Sequence, residues 1–215
     1  MFQYLNGIRA DALRKRGQRM LVAGQYQKAE SCFQTALQLA DNTENRFNLA
    51  LVLLSRQKLT EAESYLQAIA VEYPENEINR LALFESLILQ EKWQSAIEQV
   101  DFLCRHHPAN KQYCKLQEIA VDVVEREKYR NVKLLSYEAY ELLRQKKFNA
   151  ALEKYIEALN FLPNDLEVLN NLGSIHLKQN ELTQAYGYFE KALLIDPDNR
   201  KIQQNLALVK NKLRK

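Results

Sequence analysis

Apolar residues recur along the chain at helical spacing, in short segments that come in pairs. In one such segment, Phe47, Leu49, Ala50, Leu53 and Leu54 fall on one side of a helix. The pattern therefore predicts an all-α protein built from helix-turn-helix pairs.

Short polar turns separate the two helices of each pair, as at residues 56–58. We expect the second helix to begin at a capping residue such as Thr60, Asn149 or Thr183, and Thr60 with Glu63 fits a capping box. A proline ends the second helix because it cannot continue the hydrogen-bond ladder. The Asn or Asp that follows it is expected to cap the next helix.

The helix pairs repeat with a period of 34 residues. The prolines are spaced by 34, 55 and 34 residues, at Pro74, Pro108, Pro163 and Pro197. An alanine stands twelve residues before each of them, at Ala62, Ala96, Ala151 and Ala185, and Ala29 begins the series. Since 55 is 34 plus 21, five units and one insertion of 21 residues account for the pattern.

The repeating residues resemble the tetratricopeptide repeat. The unit at 166–199 carries the motif best, in Leu172-Gly173, Ala185, Phe189, Ala192 and Pro197. The resemblance covers about residues 10–110 and 132–199, with departures at Phe84, which replaces a small residue, and Asp41, which replaces a proline. It implies a right-handed superhelical solenoid of helix-turn-helix hairpins, stacked because a single hairpin cannot bury both of its faces.

The insertion divides the predicted solenoid into two arrays. Residues 111–127 are expected to form one helix that covers the open end of the first array, whereas a single continuous helix over 111–145 stays an alternative. The predicted arrays are 1–127, with repeats at about 10–42, 43–76 and 77–110, and 128–215, with repeats at about 132–165 and 166–199 and a capping helix at 200–215.

Composition agrees with a folded helical protein. Five Gly and four Pro supply too few turn residues for a β-sandwich or barrel, and no apolar run reaches the length of a membrane span. The net charge of +3 does not suggest nucleic-acid binding by the whole chain, although residues 1–19 and 200–215 are basic. We expect no secretory signal at the N-terminus. Three cysteines are most simply free thiols in a reducing compartment, so a cytoplasmic location is predicted.

No motif of a nucleotide-binding loop, metalloprotease or serine hydrolase is present, so we predict a non-enzymatic protein without a cofactor. Cys104, His106, His107 and Cys114 fall within eleven residues. Their spacing matches no common zinc pattern, so we expect them to be structural residues, with a zinc site as the alternative.

The resemblance implies a function, because the first helices of tetratricopeptide repeats line a concave surface that holds a partner. We therefore expect a protein-protein interaction module, a scaffold, adaptor or assembly chaperone. Superposing the units places the candidate partner-binding residues at Arg14, Gln18, Phe47, Asn48, Leu51, Leu81, Glu85, Ile88, Tyr137, Tyr140, Asn170, Asn171 and Ser174.

Within this set, Asn48 and Asn171 match an asparagine that in the family commonly bonds the backbone of a bound peptide. The alternative is that these amides only solvate the helix face. Arg14, Gln18 and Asn48 fit part of the family's carboxylate clamp, but Ile78 and Ala82 stand where basic residues would complete it. The apolar residues instead favour an amphipathic or apolar partner segment.

Two other functions remain open at this stage. The chain could be a structural section that self-assembles or belongs to a larger complex, through Phe2, Tyr4, Leu5 and Ile8. RNA binding is a remote alternative, because helical repeats can recognise single strands. Acidic residues such as Glu85 and Glu167 on the same surface disfavour it.

Overall fold

Helices and short connections make up the described part of the chain. The computed structural model describes residues 2–214, with the side chains of 4–214, and contains no strand in that range. The helices are α1 (Phe2–Val22), α2 (Tyr26–Leu39), α3 (Thr43–Ser55), α4 (Leu59–Glu72), α5 (Glu77–Leu89), α6 (Trp93–His106), α7 (Lys111–Val121), α8 (Val123–Arg144), α9 (Phe148–Phe161), α10 (Leu166–Lys178), α11 (Leu182–Ile195) and α12 (Arg200–Leu213).

Two compact units divide between Arg126 and Glu127, within α8. In the first unit the hairpins α1/α2, α3/α4 and α5/α6 stack in chain order, and α7 packs on α6. In the second unit α8, α9 and α10 share one core, and α11 packs between α10 and α12. This stacking of helical hairpins confirms the predicted tetratricopeptide fold. Ile202, Leu206 and Val209 of α12 are buried, as a capping helix requires.

Small residues let the two helices of a hairpin approach closely. A Cβ atom on Gly17 of α1 would lie 2.6 Å from Cε1 of Phe33, and one on Gly173 would lie 2.7 Å from Cε1 of Phe189. Both rings are completely buried. Because Gly17 and Gly173 have no side chain, the rings of Phe33 and Phe189 can occupy the space beside them.

The third hairpin reverses this size relation. Phe84 occupies in α5 the register position that Gly17 has in α1, and it is 1% exposed. Val100 of α6 stands where Phe33 stands in the first hairpin, and it is also buried. A large residue in the first helix is thus matched by a smaller one in the second, so Phe84 is compatible with the repeat.

Each hairpin turn contains a residue with left-handed backbone. These residues are Gly24 (φ 70), Gln57 (φ 56), Glu91 (φ 59), Lys146 (φ 59) and Asn180 (φ 61). The residue that follows donates its N–H back to the last turn of the first helix, as Lys58 does to the Leu53 carbonyl at 2.9 Å. This is the arrangement of a Schellman cap, which prefers glycine because a Cβ is strained there.

Replacing Lys146 with glycine is expected to raise the free energy of unfolding of the second unit by about 0.5–1 kcal/mol, because the strain of a left-handed Cβ exceeds the backbone entropy that glycine loses. Urea denaturation followed by circular dichroism measures the change. Lys147→Gly is the matched control, since Lys147 has φ −86 and should gain nothing. Equal effects of the two substitutions would contradict the strain argument.

Backbone geometry alone starts the second helices, which corrects the prediction that Thr60, Asn149 and Thr183 cap them. The residues at the N-cap positions are Lys58, Lys147 and Glu181, and none makes a side-chain capping bond. The helices begin directly after the Schellman turn, and each N-cap lies two residues earlier than expected. Thr60 therefore lies inside α4, and Glu63 makes no capping box.

The first helices after α1 are capped as predicted. The side chains of Asn42, Asn76, Asp165 and Asn199 each accept a hydrogen bond from the backbone N–H three residues later. Asn110 caps α7 in a similar way, but it accepts from the N–H two residues later, that of Gln112. These caps satisfy N–H groups that a helix N-terminus leaves without partners.

Successive hairpins in the first unit are joined by ion pairs whose carboxylates are buried. Glu30 of α2, 6% exposed in its side chain, accepts from Lys58 Nζ at 2.9 Å and from Arg56. Burial alone would raise the pKa of Glu30, but the hydrogen bonds from Lys58 and Arg56 outweigh it and hold the pKa below its ordinary value. One hairpin later, Glu63 repeats the contact with Lys92 Nζ at 2.6 Å.

The insertion forms two helices, so the predicted helix over 111–127 is too long. Helix α7 ends at Val121, and α8 begins at Val123. Asp122 has extended backbone, and its carboxylate accepts from the N–H groups of Val124 and Glu125 at 2.8 and 3.0 Å. An aspartate that caps a new helix interrupts the old one, and the sequence offers no Gly or Pro to announce the break.

A disulfide joins Cys104 of α6 to Cys114 of α7, with Cα atoms 5.0 Å apart. The prediction of three free thiols is therefore wrong for these two, and Cys32 is the free cysteine. Cys104 and Cys114 are ten positions apart in the sequence, and they come together because α7 packs against α6. The prediction of free thiols did not take this packing into account. No group of three His, Cys, Asp or Glu side chains suited to a metal occurs between residues 4 and 214.

Candidate partner-binding grooves

The first helices of neighbouring hairpins lie side by side. Helix α3 contacts both α1 and α5 in the first unit, and α10 contacts α12 in the second. Side chains that project from these helices between the hairpin contacts form the candidate surface. We call it the first groove on α1, α3, α5 and α7, and the second groove on α8, α10 and α12.

The α1 end of the first groove is polar and internally bonded. Gln18 Nε2 donates to Asn48 Oδ1 at 3.1 Å, and Asn48 Nδ2 donates to the Glu44 carbonyl at 2.7 Å. Arg14 pairs with Asp11 at 3.2 Å and with Glu44. Asn48 is only 7% exposed, so its amide mainly joins α1 to α3. Each of its polar atoms has capacity for one more hydrogen bond.

Apolar side chains line the middle of the first groove. Phe47, Leu51 and Leu81 are half-buried, and Ile78, one turn before Leu81 on α5, is 68% exposed. By repeat register, Phe47 and Leu51 on α3 belong to the same candidate surface as Ile78 and Leu81 on α5, so the exposed part of Ile78 adds apolar area to that surface. From the sequence, Ile78 was noted only because it stands where the carboxylate clamp has a basic residue. Its spacing from Leu81 and Glu85, at i+3 and i+7, could have identified it as part of the apolar row.

Helix α7 extends the same surface. By repeat register, Leu116 and Ile119 correspond to Asn48 and Leu51 of α3, and both are half-buried. Tyr113 fixes the start of α7, because its hydroxyl donates to Glu77 Oε2 of α5 at 2.5 Å. That hydrogen bond, with burial, raises the pKa of Tyr113 to about 12. The insertion thus supplies the first helix of an incomplete fourth hairpin rather than only a cover.

One candidate residue of the first groove is misassigned. Ile88 is fully buried. It stands one turn after Phe84 and Glu85 on α5, where the helix turns toward α6 and its side chain enters the core. A buried side chain cannot contact a partner, so we remove Ile88 from the candidate surface. Glu85 remains half-buried at the edge of the apolar row.

Amides and tyrosines form the second groove. Asn205 Nδ2 of α12 donates to Asn170 Oδ1 at 3.1 Å, and Ser174 Oγ donates to the Asn170 carbonyl at 2.8 Å. Asn170 is therefore buried and used internally. Asn171 is half-buried and is therefore the more accessible of the two amides.

The edge of the second groove carries aromatic and charged groups. Tyr140 is 38% exposed, and Tyr137 is half-buried one turn earlier on α8. Lys133 Nζ of α8 contacts Glu167 Oε2 of α10 at 2.8 Å. The charge of Lys133 holds the pKa of Glu167 below its ordinary value. This groove is more polar than the first.

Comparison with protein families identifies the repeats. Tetratricopeptide repeat models match residues 10–77 and residues 166–199. With the stacked hairpins and the small-large pairs described above, these matches show that the chain is a tetratricopeptide repeat protein. Such repeats serve protein interaction in general. None of the helices between residues 2 and 214 has the length and hydropathy needed to cross a bilayer.

Known proteins resemble the chain only distantly. The human protein O-mannosyl-transferase TMTC1 is 23% identical over a 201-residue alignment that covers 86% of this chain. The chain spans only 23% of that curated relative's length. A solved tetratricopeptide repeat protein from Parabacteroides merdae ATCC 43184 is 16% identical with a TM-score of 0.50, covering 93% of this chain and 84% of its own. A MamA structure from Desulfovibrio magneticus RS-1 is 12% identical with a TM-score of 0.45, covering 89% of this chain and 97% of its own.

Proposed function

We propose that the protein is a non-enzymatic interaction module whose first groove binds the apolar face of a partner segment. The observation that carries the proposal is the apolar row of Phe47, Leu51, Ile78 and Leu81, in which Ile78 is mostly exposed. An amphipathic helix with anchors at i, i+3 and i+4 fits such a row, because its apolar face gains contacts and its polar face stays in water. The role would be that of a scaffold, adaptor or assembly chaperone.

Charge argues for this class of partner over a terminal carboxylate. The guanidinium of Arg14 is already paired with Asp11 and Glu44, and the α5 positions that would complete a clamp hold Ile78 and Ala82. Nucleic acid is an unsuitable partner for the same groove, since phosphates require unpaired cations and Glu85 lies on this surface.

The second groove supports a separate contact with a more polar segment. Asn171 has a half-buried amide that can donate and accept hydrogen bonds, and Tyr140, 38% exposed on α8, occupies the register position of Ser174 in the preceding repeat. We therefore propose that extended backbone with free N–H and C=O groups binds here. The two grooves are independent sites in this proposal.

The location of the protein stays a prediction. A cytoplasmic location was inferred from three free thiols, but Cys104 and Cys114 are bonded. Structural disulfides are more typical of oxidising compartments. We accordingly expect the protein to function in a compartment in which the Cys104–Cys114 disulfide is not reduced.

The test is affinity capture from lysate of the source organism, followed by binding measurements with the purified partner. Ile78→Glu is expected to weaken the partner's affinity by at least about 30-fold, because it puts a charge at the most exposed position of the apolar row. Phe47→Ala tests the same groove by removing an anchor. Isothermal titration calorimetry gives the dissociation constants.

Val71→Glu is the matched control, since Val71 is an 85% exposed apolar residue on α4, outside the groove. It should change the affinity less than about twofold. If Ile78→Glu and Val71→Glu capture the same proteins with equal affinity, the first groove is not the binding site.

A further inference from the structure

The outer side of α1 carries an exposed apolar cluster that no other helix covers within the part of the chain that the structure describes. Tyr4 is 73% exposed, Leu5 is 50% exposed and Ile8 is 51% exposed. The opposite side of the helix packs inward through Ala10 and Gly17, which are buried. The sequence suggested this cluster, with Phe2, as a contact for self-assembly; the side chain of Phe2 lies outside the described residues.

Basic residues continue the same side of α1. Arg9, Lys15, Arg16 and Arg19 are exposed, and none forms an ion pair with a carboxylate within residues 4–214. At 100° per residue, these cations share an arc of about 140° with the apolar cluster. Asp11, the acid nearest to them in the helix, is paired with Arg14. We call this combined patch the α1 outer face.

A second copy of the chain does not fit the α1 outer face through either of its basic end helices, α1 and α12. Pairing two such faces would bring like charges together. The other uncovered end helix, α12, is basic as well, with exposed Arg200, Lys201, Lys212 and Arg214. Contact between α1 of one copy and α12 of another would therefore also be repulsive. Charge complementarity requires an anionic partner.

We propose that the α1 outer face is a peripheral docking site for an anionic phospholipid bilayer. Tyr4, Leu5 and Ile8 would enter the boundary between headgroups and acyl chains, while the cations contact lipid phosphates and carboxylates. A bilayer suits this surface better than an acidic protein. The exposed side of a single helix is convex and its apolar part is only little more than one turn long, whereas a bilayer needs no shape complementarity.

Vesicle sedimentation tests the proposal. The full chain is mixed with vesicles of phosphatidylcholine that contain no or about 30% phosphatidylserine, at low and at high salt. Binding is expected only with phosphatidylserine and should weaken with salt. Lys15→Gln/Arg16→Gln/Arg19→Gln should weaken it about 100-fold, at about fivefold for each lost cation. Leu5→Gln/Ile8→Gln should weaken it at both salt concentrations, since it removes inserted apolar groups.

A charge-matched control separates a specific face from net charge. Lys111→Gln/Lys115→Gln/Lys178→Gln removes the same number of exposed cations elsewhere. It should bind phosphatidylserine vesicles as the unchanged chain does, and circular dichroism checks that every variant folds. Equal losses in the two triple variants would overturn the proposal. Absence of vesicle binding at low salt would also overturn the proposal. This includes the case in which α1 binds a synthetic amphipathic helix, with leucine on one face and glutamate on the other, instead of vesicles. Ile78→Glu should leave vesicle binding unchanged, so this result is independent of the first groove.

Discussion

Replacing Gly173 with alanine is expected to lower the free energy of unfolding of the second unit by about 1–3 kcal/mol. The added Cβ would lie 2.7–2.9 Å from three atoms of the Phe189 ring. That ring is fully buried between α10, α11 and α12, so it has no open space to move into. The strain exceeds the gain of about 1 kcal/mol that alanine normally brings to a helix. Urea denaturation with circular dichroism measures the loss.

Gly187 provides the same substitution without the contact. A Cβ on Gly187 of α11 meets no atom within 4 Å, so Gly187→Ala should raise stability by about 0.5–1 kcal/mol. Phe189→Leu combined with Gly173→Ala should recover part of the loss, because the smaller side chain leaves room for the methyl group. If Gly173→Ala and Gly187→Ala stabilise the protein equally, the close approach of α10 to Phe189 is not the reason why a glycine is required at position 173.

Removing the disulfide, as Cys104→Ser/Cys114→Ser, is expected to lower the free energy of unfolding of the first unit by about 2–3 kcal/mol. The bond closes a short loop between α6 and α7 and so restricts the unfolded chain. Hydrogen exchange should increase first in α7, which retains the Tyr113–Glu77 hydrogen bond as its link to α5. Denaturation curves and exchange followed by mass spectrometry measure the two effects.

Cys32→Ser serves as the control for the disulfide, because Cys32 is free and should be replaceable with little change in stability. Alkylation of the denatured, non-reduced protein should label one cysteine, and alkylation after reduction should label three. Three labels without reduction, or equal stability of the double variant and the unchanged chain, would contradict a structural role for the bond.

The repeat pattern in the sequence was sufficient to predict the fold. The period of 34 and the residues Gly173, Ala185 and Phe189 identify the hairpins, because small and large residues at fixed register determine how two helices cross. The caps at Asn76 and Asp165 were also predictable, since the Asn or Asp follows each proline. Helix starts after the turns were not, because the left-handed residue and its backbone hydrogen bond use no side-chain signal, as at Lys58.

The candidate grooves were predictable by register but not by accessibility. Superposing the repeats correctly aligned Phe47 with Leu81, yet register alone could not show that Ile88 turns into the core while Ile78 stays exposed. The hydrogen bonds between the groove amides could not be predicted from register either. The bonds of Asn48 to Gln18 and of Asn170 to Asn205 join different helices, so they depend on stacking that a single repeat does not encode.

The buried ion pairs between hairpins have a consequence for how such a chain can change in length. Glu30 contacts Lys58 in the next hairpin, and Glu63 contacts Lys92 in the one after it. Because Lys58 and Lys92 occupy the same position in their hairpins, excision of the second hairpin would present Lys92 to Glu30 and re-create an equivalent contact. The third hairpin has Ile97 at the position of Glu30 and Glu63, so it offers no such acceptor to a following unit. We therefore expect this contact to survive duplication or loss of the second hairpin, whereas the third hairpin cannot form an equivalent ion pair with the unit that follows it.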